Sequence, residues 1–493
     1  MPGLVTQPII NSQSDVPIYR QIADWLLAAI RAGEVKPGER LPATRELAGL
    51  LGLNRATVSA AYELLEAEGL ISGHVGKGSF VAVPPASALD WNRMLGPGAG
   101  ETPRSTEGDD VVSFATSRPS ELLFPLEEFR AATLEVLQSE EAVHILQLGS
   151  PFGYAPLRRY LLDQARQAGT AREDDDILIT SGCQQALDLL ERVFFPPGTE
   201  GCAAVEDPVY PGLKSVFERA GVRLAGIAVG AAGAEVEVLE RILLKERPRL
   251  VVLTPNFQNP TGATMPLGSR RAVLEIVRRA GVVLIENNIY GDLRYEGEAL
   301  PLIKQLDETG DTVVLGSFSK IAFPGLRVGW ALGPRKLVAR LAEAKQWCDL
   351  HTDHLSQAIL LRFAASGRLE RHRKRILEAG AARLGAVLDA CARHLPAGSA
   401  FTRPQGGMNL WVRLPESIDA SGLLERARQE GVSYLPGKYF AVSRVEPGAL
   451  RLSFAGLEPE EIEQGVAALG RAAARQLAEW HARERLEPAP AMV

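Results

Sequence analysis

The sequence predicts two folded modules of different class. A small helical head ends in a hairpin, and a larger α/β module rests on a mostly parallel sheet covered by helices on both faces, with a smaller α+β segment at its end. Three observations carry this reading: helix-spaced apolar residues confined to the first eighty or so positions, a Pro/Gly-rich gap after them, and then short Val/Leu/Ile runs alternating with amphipathic stretches.

In the head, "PIYRQIADWLLAAIRAGEV" carries Ile22, Trp25, Leu26, Ala29 and Ile30 at helix spacing, and "PGERLP" ends it. "ATRELAGLLGL" is a second short helix that stops at Gly52. Asn54 caps a third, in which Val58, Ala61, Tyr62 and Leu65 form one apolar face. "ISGHVGKGSFVAV" alternates as two strands around a Gly-rich tip. Two helices joined by a tight turn, then a two-stranded wing, form the layout of a winged helix-turn-helix, whose second motif helix enters the DNA major groove. Arg45 opens the supporting helix, and Arg55 and Thr57 stand at the start of the reading helix. His74 and Lys77 lie at the wing, and Arg40 precedes the motif. "GHVGKGSF" is not a phosphate-binding loop, because Lys77 is followed by Gly78 rather than Ser or Thr and no helix follows.

The head spans residues 1–83, and residues 84–110, with eight Pro or Gly among 27, read as a linker. From 111 to 475 the pattern is "DILITS", "GCQQALDLLERVF", "GCAAVED", "PGLKSVFERAG", "RLVVLTP", "GVVLIENN" and "DTVVLGSFS", with a smaller segment over 346–475 marked by "NLWVRLP" and "ALRLSFA". Residues 476–493 read as a tail.

Bulk composition narrows the function classes. The chain has 493 residues and a formal net charge of −6, and the head alone carries seven Lys/Arg against eight Asp/Glu. Coating of a polyanion is thereby excluded, but not a small DNA-reading module. Four scattered cysteines form no CxxC pair, so neither a zinc site nor a disulfide framework is expected. No apolar run reaches membrane-spanning length, and the N-terminus lacks a signal-peptide pattern, so a cytoplasmic location is expected.

"SFSKIAFPGLRVG" sets Lys320 behind Ser317 and Ser319, with Arg327 seven residues on. A lysine amine forms a Schiff base with an aldehyde cofactor, and a cofactor phosphate wants hydroxyls, helix-start N–H groups and a fixed arginine. "TSGCQQALDLL" offers Ser181, Gly182 and Cys183 at such a helix start. Each feature alone has an ordinary reading as a surface charge, an N-cap or a solvated loop. Their order is what discriminates: "SGCQQ", "EDPVYPG", "PNFQNPTG", "IENNIYGDLRY", "SFSKIAFPGLRVG", "GGMNLW" and "LRLSF".

Residues 17–83 resemble the winged helix-turn-helix of GntR-type regulators, and about 111–475 resemble the fold-type I aminotransferases that use pyridoxal phosphate (PLP). The whole chain thus resembles a MocR-type transcriptional regulator. The resemblance implies Lys320 as the Schiff-base lysine and catalytic residue, Asn259 and Tyr290 on the cofactor's phenolic oxygen, and Tyr210 stacked on its ring. It implies phosphate contacts from Ser181, Gly182, Cys183, Ser317, Ser319 and Arg327, and Arg451 pairing with a substrate or effector carboxylate. It further implies a homodimer reading paired half-sites of a double-stranded operator, with an amino compound or PLP itself as effector. No metal is expected.

Two departures stand out. Asn287 occupies the place where the related enzymes hold an Asp on the pyridine nitrogen, and Leu148 replaces a tyrosine that reaches the partner subunit's cofactor phosphate. A neutral amide cannot stabilise a protonated ring, so amine exchange should survive while transamination is weak or absent. A sensor is therefore the expectation. A weak aminotransferase with a DNA-binding head, and a regulator whose large domain only dimerises, are the alternatives.

Overall fold

A computed structural model describes residues 10–11, 14, 16–31, 34–74, 78–82, 94 and 111–484. The chain divides into two compact units at Arg104, inside the stretch read as a linker.

In the smaller unit, helices Ile18–Arg31, Thr44–Leu51 and Arg55–Ala67 precede the antiparallel pair Ile71–His74 and Gly78–Val81. Gly52 ends the second helix in a left-handed conformation, and the Asn54 side chain accepts from the Ala56 N–H at 3.0 Å to start the third. Ile22, Leu26, Leu47, Val58, Leu65 and Ile71 close one core. The Tyr62 hydroxyl donates to the Pro42 carbonyl at 2.8 Å and so fixes the chain entering the second helix.

The larger unit holds an eight-stranded sheet. Its spatial order is Asp175–Thr180, Gly329–Pro334, Val313–Ser317, Val283–Asn287, Leu250–Leu253, Cys202–Asp207, Arg223–Gly230 and Gly233–Ala234. Gly329–Pro334 runs antiparallel to both its neighbours and Gly233–Ala234 to its one; the remaining pairs are parallel. The expected mostly parallel sheet is thus present. Apolar clusters line both of its faces, as the continuous Val/Leu/Ile runs require.

The smaller subdomain carries the four-stranded sheet Ala400–Phe401, Asn409–Arg413, Ala449–Ser453 and Leu435–Pro436. Its extent differs from residues 346–475 at three places. Helix His354–Ala365 packs into the large subdomain's core through Ala358, Ile359 and Phe363, so the boundary falls within the long helix Arg368–His394. Val112–Ser113 pairs with Val432–Ser433, and Phe114 is buried against the small subdomain, so the start of the module belongs there. Helix Pro459–Glu484 runs beyond 475, held by Leu477 on the core and by Arg475 on Glu430. Residue-by-residue periodicity does not report which body a helix packs on, which is why the sequence missed these assignments. Among the described residues no helix is long and apolar enough to cross a membrane, and no cluster of metal ligands forms.

Parallel strands send their C-terminal ends to one edge, where Ser181, Asn287 and Ser317 sit. The loop bearing Asn259 is clamped there by Arg270. This fully buried side chain donates to the carbonyls of Met265 and Pro301 at 2.8 Å each and of Pro255 at 3.1 Å, and to Asn256 Oδ1 at 2.6 Å. Arg270→Met should therefore destabilise the larger unit by about 3 kcal/mol or more, because each buried acceptor left without a donor costs about 1–3 kcal/mol. Urea unfolding checks this, and a loss under about 1 kcal/mol would show that the clamp is dispensable.

Candidate cofactor and effector site

Four strand ends and two loops bring the predicted residues into one crevice. Val313–Ser317 delivers Ser317, whose Oγ lies 2.9 Å from Ser319 Oγ and accepts the Ser319 N–H at 3.0 Å. That turn sets Lys320, whose Nζ lies 5.6 Å from the centre of the Tyr290 ring and donates to the Ser117 carbonyl at 2.8 Å. Asn259 Nδ2 donates to the Tyr290 hydroxyl at 3.1 Å, and Arg451 Nη1 donates to Asn259 Oδ1 at 3.2 Å. Arg451 Nη2 donates to the Ala115 carbonyl, its Nε is buried without a partner among the described residues, and its guanidinium lies over Phe440.

On the other side of Lys320, Asp175–Thr180 leads through Ser181 and Gly182 into helix Cys183–Phe194. Gly182 has φ 78°, and a Cβ there would lie 3.0 Å from Arg327 Cζ, so only glycine lets the arginine close on the helix start. Arg327, itself left-handed at φ 55°, approaches Ser319 Oγ at 3.5 Å and the Ser181 carbonyl at 3.4 Å. A hydroxyl pair, a helix N-terminus and a guanidinium thus face one spot, which is a cradle for a phosphate. Tyr210 stands exposed, close enough to Arg327 and Arg451 to feel their charges.

The electrostatics are lopsided. Among the described residues no carboxylate pairs with Lys320, Arg327 or Arg451. Burial pulls the Arg451 guanidinium down to about 10, opposed only by Tyr290 and Tyr210, so it stays charged at neutral pH. Cys183 Sγ lies 3.6 Å from Asn287 Oδ1. Burial pushes that thiol up to about 12 despite Lys320 and Arg327, so Asn287 and its sulfur neighbour are both uncharged. The donor set fits a dianionic phosphate plus a carboxylate, and the Cys183–Asn287 pair has no anion to offer.

Some participants escaped the sequence. Thr352 Oγ1 lies 3.4 Å from Ser181 Oγ. Gln185 accepts the Ser181 N–H at 2.8 Å and donates to Asp349 at 2.7 Å, which is in turn held by buried Lys345 at 2.7 Å. The carbonyls of Ala115 and Ser117 have no side-chain signature at all.

In the smaller unit Arg45 and Arg55 are exposed at the starts of the second and third helices, with Thr57 half-buried two residues after Arg55. Arg40 bridges to Phe80 and rests its guanidinium on Gly78, so it belongs to the hairpin. His74 ends the first hairpin strand; its side chain and Lys77 lie outside the described residues.

Comparison with known proteins follows the same division. Residues 18–81 match the family "Bacterial regulatory proteins, gntR family", and residues 109–469 match "Aminotransferase class I and II". The chain is 39% identical to a 2-aminoadipate transaminase of Thermus thermophilus, over 78% of this chain and 97% of that one. It is 28% identical to a probable rhizopine catabolism regulatory protein MocR of Rhizobium meliloti, over 94% of each. The crystal structure of Pyrococcus horikoshii kynurenine aminotransferase, in complex with pyridoxamine phosphate, superposes with a TM-score of 0.72 at 35% identity, covering 75% of this chain and 92% of that one. The chain therefore belongs to the MocR-type regulators, in which a GntR-family DNA-binding head is fused to a class I and II aminotransferase domain that takes pyridoxal phosphate.

Proposed function

We propose that this regulator senses a carboxylate-bearing primary amine by amine exchange at Lys320, and that the exchange alters how a homodimer holds paired operator half-sites in the cytoplasm. The observation that carries the reading is the gathering of Lys320, Arg327 and Arg451 with only carbonyl, hydroxyl and amide partners. PLP supplies an aldehyde with which amines condense and a ring that accepts electrons. Ser181, Gly182, Cys183, Ser317, Ser319, Arg327 and Thr352 hold its phosphate, Asn259 and Tyr290 its phenolic oxygen, Tyr210 its ring face and Asn287 its ring nitrogen. Arg451 takes the effector's carboxylate. Its buried Nε, without a partner among the described residues, supports that role.

A second copy of the chain is the occupant we assign to an apolar surface beside the cradle. Leu146, Leu148, Trp347 and Leu350 are all more than half exposed. The stretches that carry them meet where Gly149 abuts the His354 ring with no room for a Cβ, and Thr352 of the same segment reaches Ser181. Leu148 thus extends an apolar face where the family's tyrosine would extend a hydroxyl.

A second reading, a weak aminotransferase with a DNA-binding head, draws support from the 39% identity to a transaminase. Asn287 decides between them. Asn287→Asp should raise single-turnover transamination at least tenfold by restoring an anion at the ring nitrogen; an unchanged rate would mean that another group faces that nitrogen.

The modules separate by mutation. Lys320→Ala should abolish the borohydride-trapped PLP adduct while DNA affinity without effector stays within a few-fold. Arg55→Ala should weaken DNA binding by about 1–3 kcal/mol and leave trapping intact. Absorption spectra with peptide mapping, and fluorescence anisotropy on duplex DNA, read the two effects. A trapped adduct on any lysine other than Lys320 would sink the assignment.

A further inference from the structure

Behind the turn that carries Asn259 lies a carboxyl with no cation to answer it. Glu206, near the end of strand Cys202–Asp207, is 1% exposed, and Gln258, on the turn, is wholly buried. The Gln258 side chain uses its whole amide. Its Nε2 donates to the Pro208 carbonyl at 2.7 Å and to Glu206 Oε2 at 3.3 Å, while its Oε1 accepts the Thr261 N–H at 3.0 Å and the Thr261 hydroxyl at 2.7 Å. The turn's own backbone bonds are internal: Gln258 N–H to Ala263 O at 2.9 Å, and Gly262 N–H to Gln258 O at 2.6 Å. Its fastening to the Glu206–Pro208 stretch runs through the Gln258 amide, and Pro208 stands two residues before Tyr210. Asn259 follows Gln258 directly, with Nδ2 on the Tyr290 hydroxyl and Oδ1 accepting from Arg451.

Glu206 Oε1 is buried and has no partner at hydrogen-bond distance among the described residues. Burial pushes the carboxyl up to about 7, against Thr254 and Gln258, which favour its charged form. The charged groups around it are spent elsewhere. Asp207 caps the N–H groups of Val442 and Ser443, Glu286 takes those of Ile303 and Lys304, and Arg270 of helix Leu267–Ala280 donates to backbone carbonyls and Asn256.

We propose that Glu206 and Gln258 form a proton-sensitive clamp that positions Asn259 and so sets how firmly the cofactor's phenolic oxygen is held. This rests on the proposed role of Asn259. An ionised Glu206 makes its bond from Gln258 charge-assisted and holds the turn on the strand. When the carboxylate takes up a proton, that bond falls to neutral strength, and the turn, with Asn259 on it, gains play. Neither residue touches cofactor or effector, so both are positioning residues. The grip on PLP is therefore firmer above neutral pH than below it, by a margin separate from the titration of PLP itself.

Glu206→Gln keeps the shape and fixes the neutral form. PLP affinity of the cofactor-free, full-length protein, read by fluorescence quenching, is compared at about pH 6 and about pH 8, either side of the carboxyl's value of about 7. Parent and variant should agree at the lower pH. At the higher pH the parent should bind about fivefold tighter, the gap between a charge-assisted and a neutral hydrogen bond. Infrared difference spectra without PLP read the proton directly: a protonated-carboxyl band should grow in the parent as pH falls through about 7 and be missing from the variant. Gln258→Met cuts the clamp and should bind weakly at both pH values. Thermal unfolding guards against misfolding, because Glu206→Gln removes a buried charge and should be no less stable than the parent at about pH 8. Equal affinities at both pH values, or no carboxyl band that depends on Glu206, would overturn the clamp. Asn259→Ala separates the two readings. Weaker PLP binding there, with Glu206→Gln matching the parent throughout, sinks the clamp alone; unchanged binding in Asn259→Ala removes the phenolic-oxygen assignment and the clamp with it.

Discussion

Three cations without a carboxylate partner among the described residues set the terms for the larger unit. A charge held away from water is costly unless something opposite in sign compensates it. Arg451 is almost wholly buried, and its depressed guanidinium pKa expresses that cost. Half-buried Lys320 and exposed Arg327 rest on carbonyl and hydroxyl oxygens, and water still reaches the Arg327 guanidinium. The protein keeps acids out of this crevice although they are near in sequence. Asp207 turns away to cap the N–H groups of Val442 and Ser443, and Glu286 faces the N–H groups of Ile303 and Lys304. On the proposed reading, a ligand carrying a phosphate and a carboxylate meets these charges.

Topology explains how residues more than two hundred positions apart meet. Parallel strands present their C-terminal ends at one edge, so each strand–loop junction contributes one or two side chains to the same crevice. The small subdomain then closes over it with Arg451 from strand Ala449–Ser453. Rigid supports fix these junctions: Arg270 clamps the Asn259 loop, and the Lys345–Asp349–Gln185 chain of hydrogen bonds steadies Ser181. The site is preorganised by side chains that never face the ligand.

What the sequence disclosed and withheld follows from this arrangement. Ser317, Ser319, Lys320 and Arg327 lie within eleven residues, and the order of the motifs around them carries the resemblance that implies a phosphate-bound aldehyde cofactor. Asn54 as a cap and Gly52 as a helix end were equally legible, because caps and left-handed turns are local chemistry. Thr352 was invisible, since its link to Ser181 spans 171 positions and threonine carries no distinctive pattern. Ala115 and Ser117 were invisible for a stronger reason: they act through backbone carbonyls, which every residue owns. The subdomain boundaries failed because amphipathic periodicity shows that a helix packs, not on which body.

The neutral pair at the ring-nitrogen position completes the logic. Had Cys183 ionised, its thiolate would have given Asn287 an anionic neighbour and partly restored the electron sink. Burial prevents this, with the thiol pushed up to about 12 even beside two cations. On the proposed reading, binding and amine exchange draw on Lys320, Arg327 and Arg451, whereas carbon chemistry draws on charge at the ring nitrogen. The two demands fall on different residues, so one could be kept while the other lapsed. A crevice with the proposed properties, binding an amino acid and exchanging its amine reversibly without consuming it, would meet the physical requirements of a sensor, because a detector that destroys its signal reports a rate rather than a concentration.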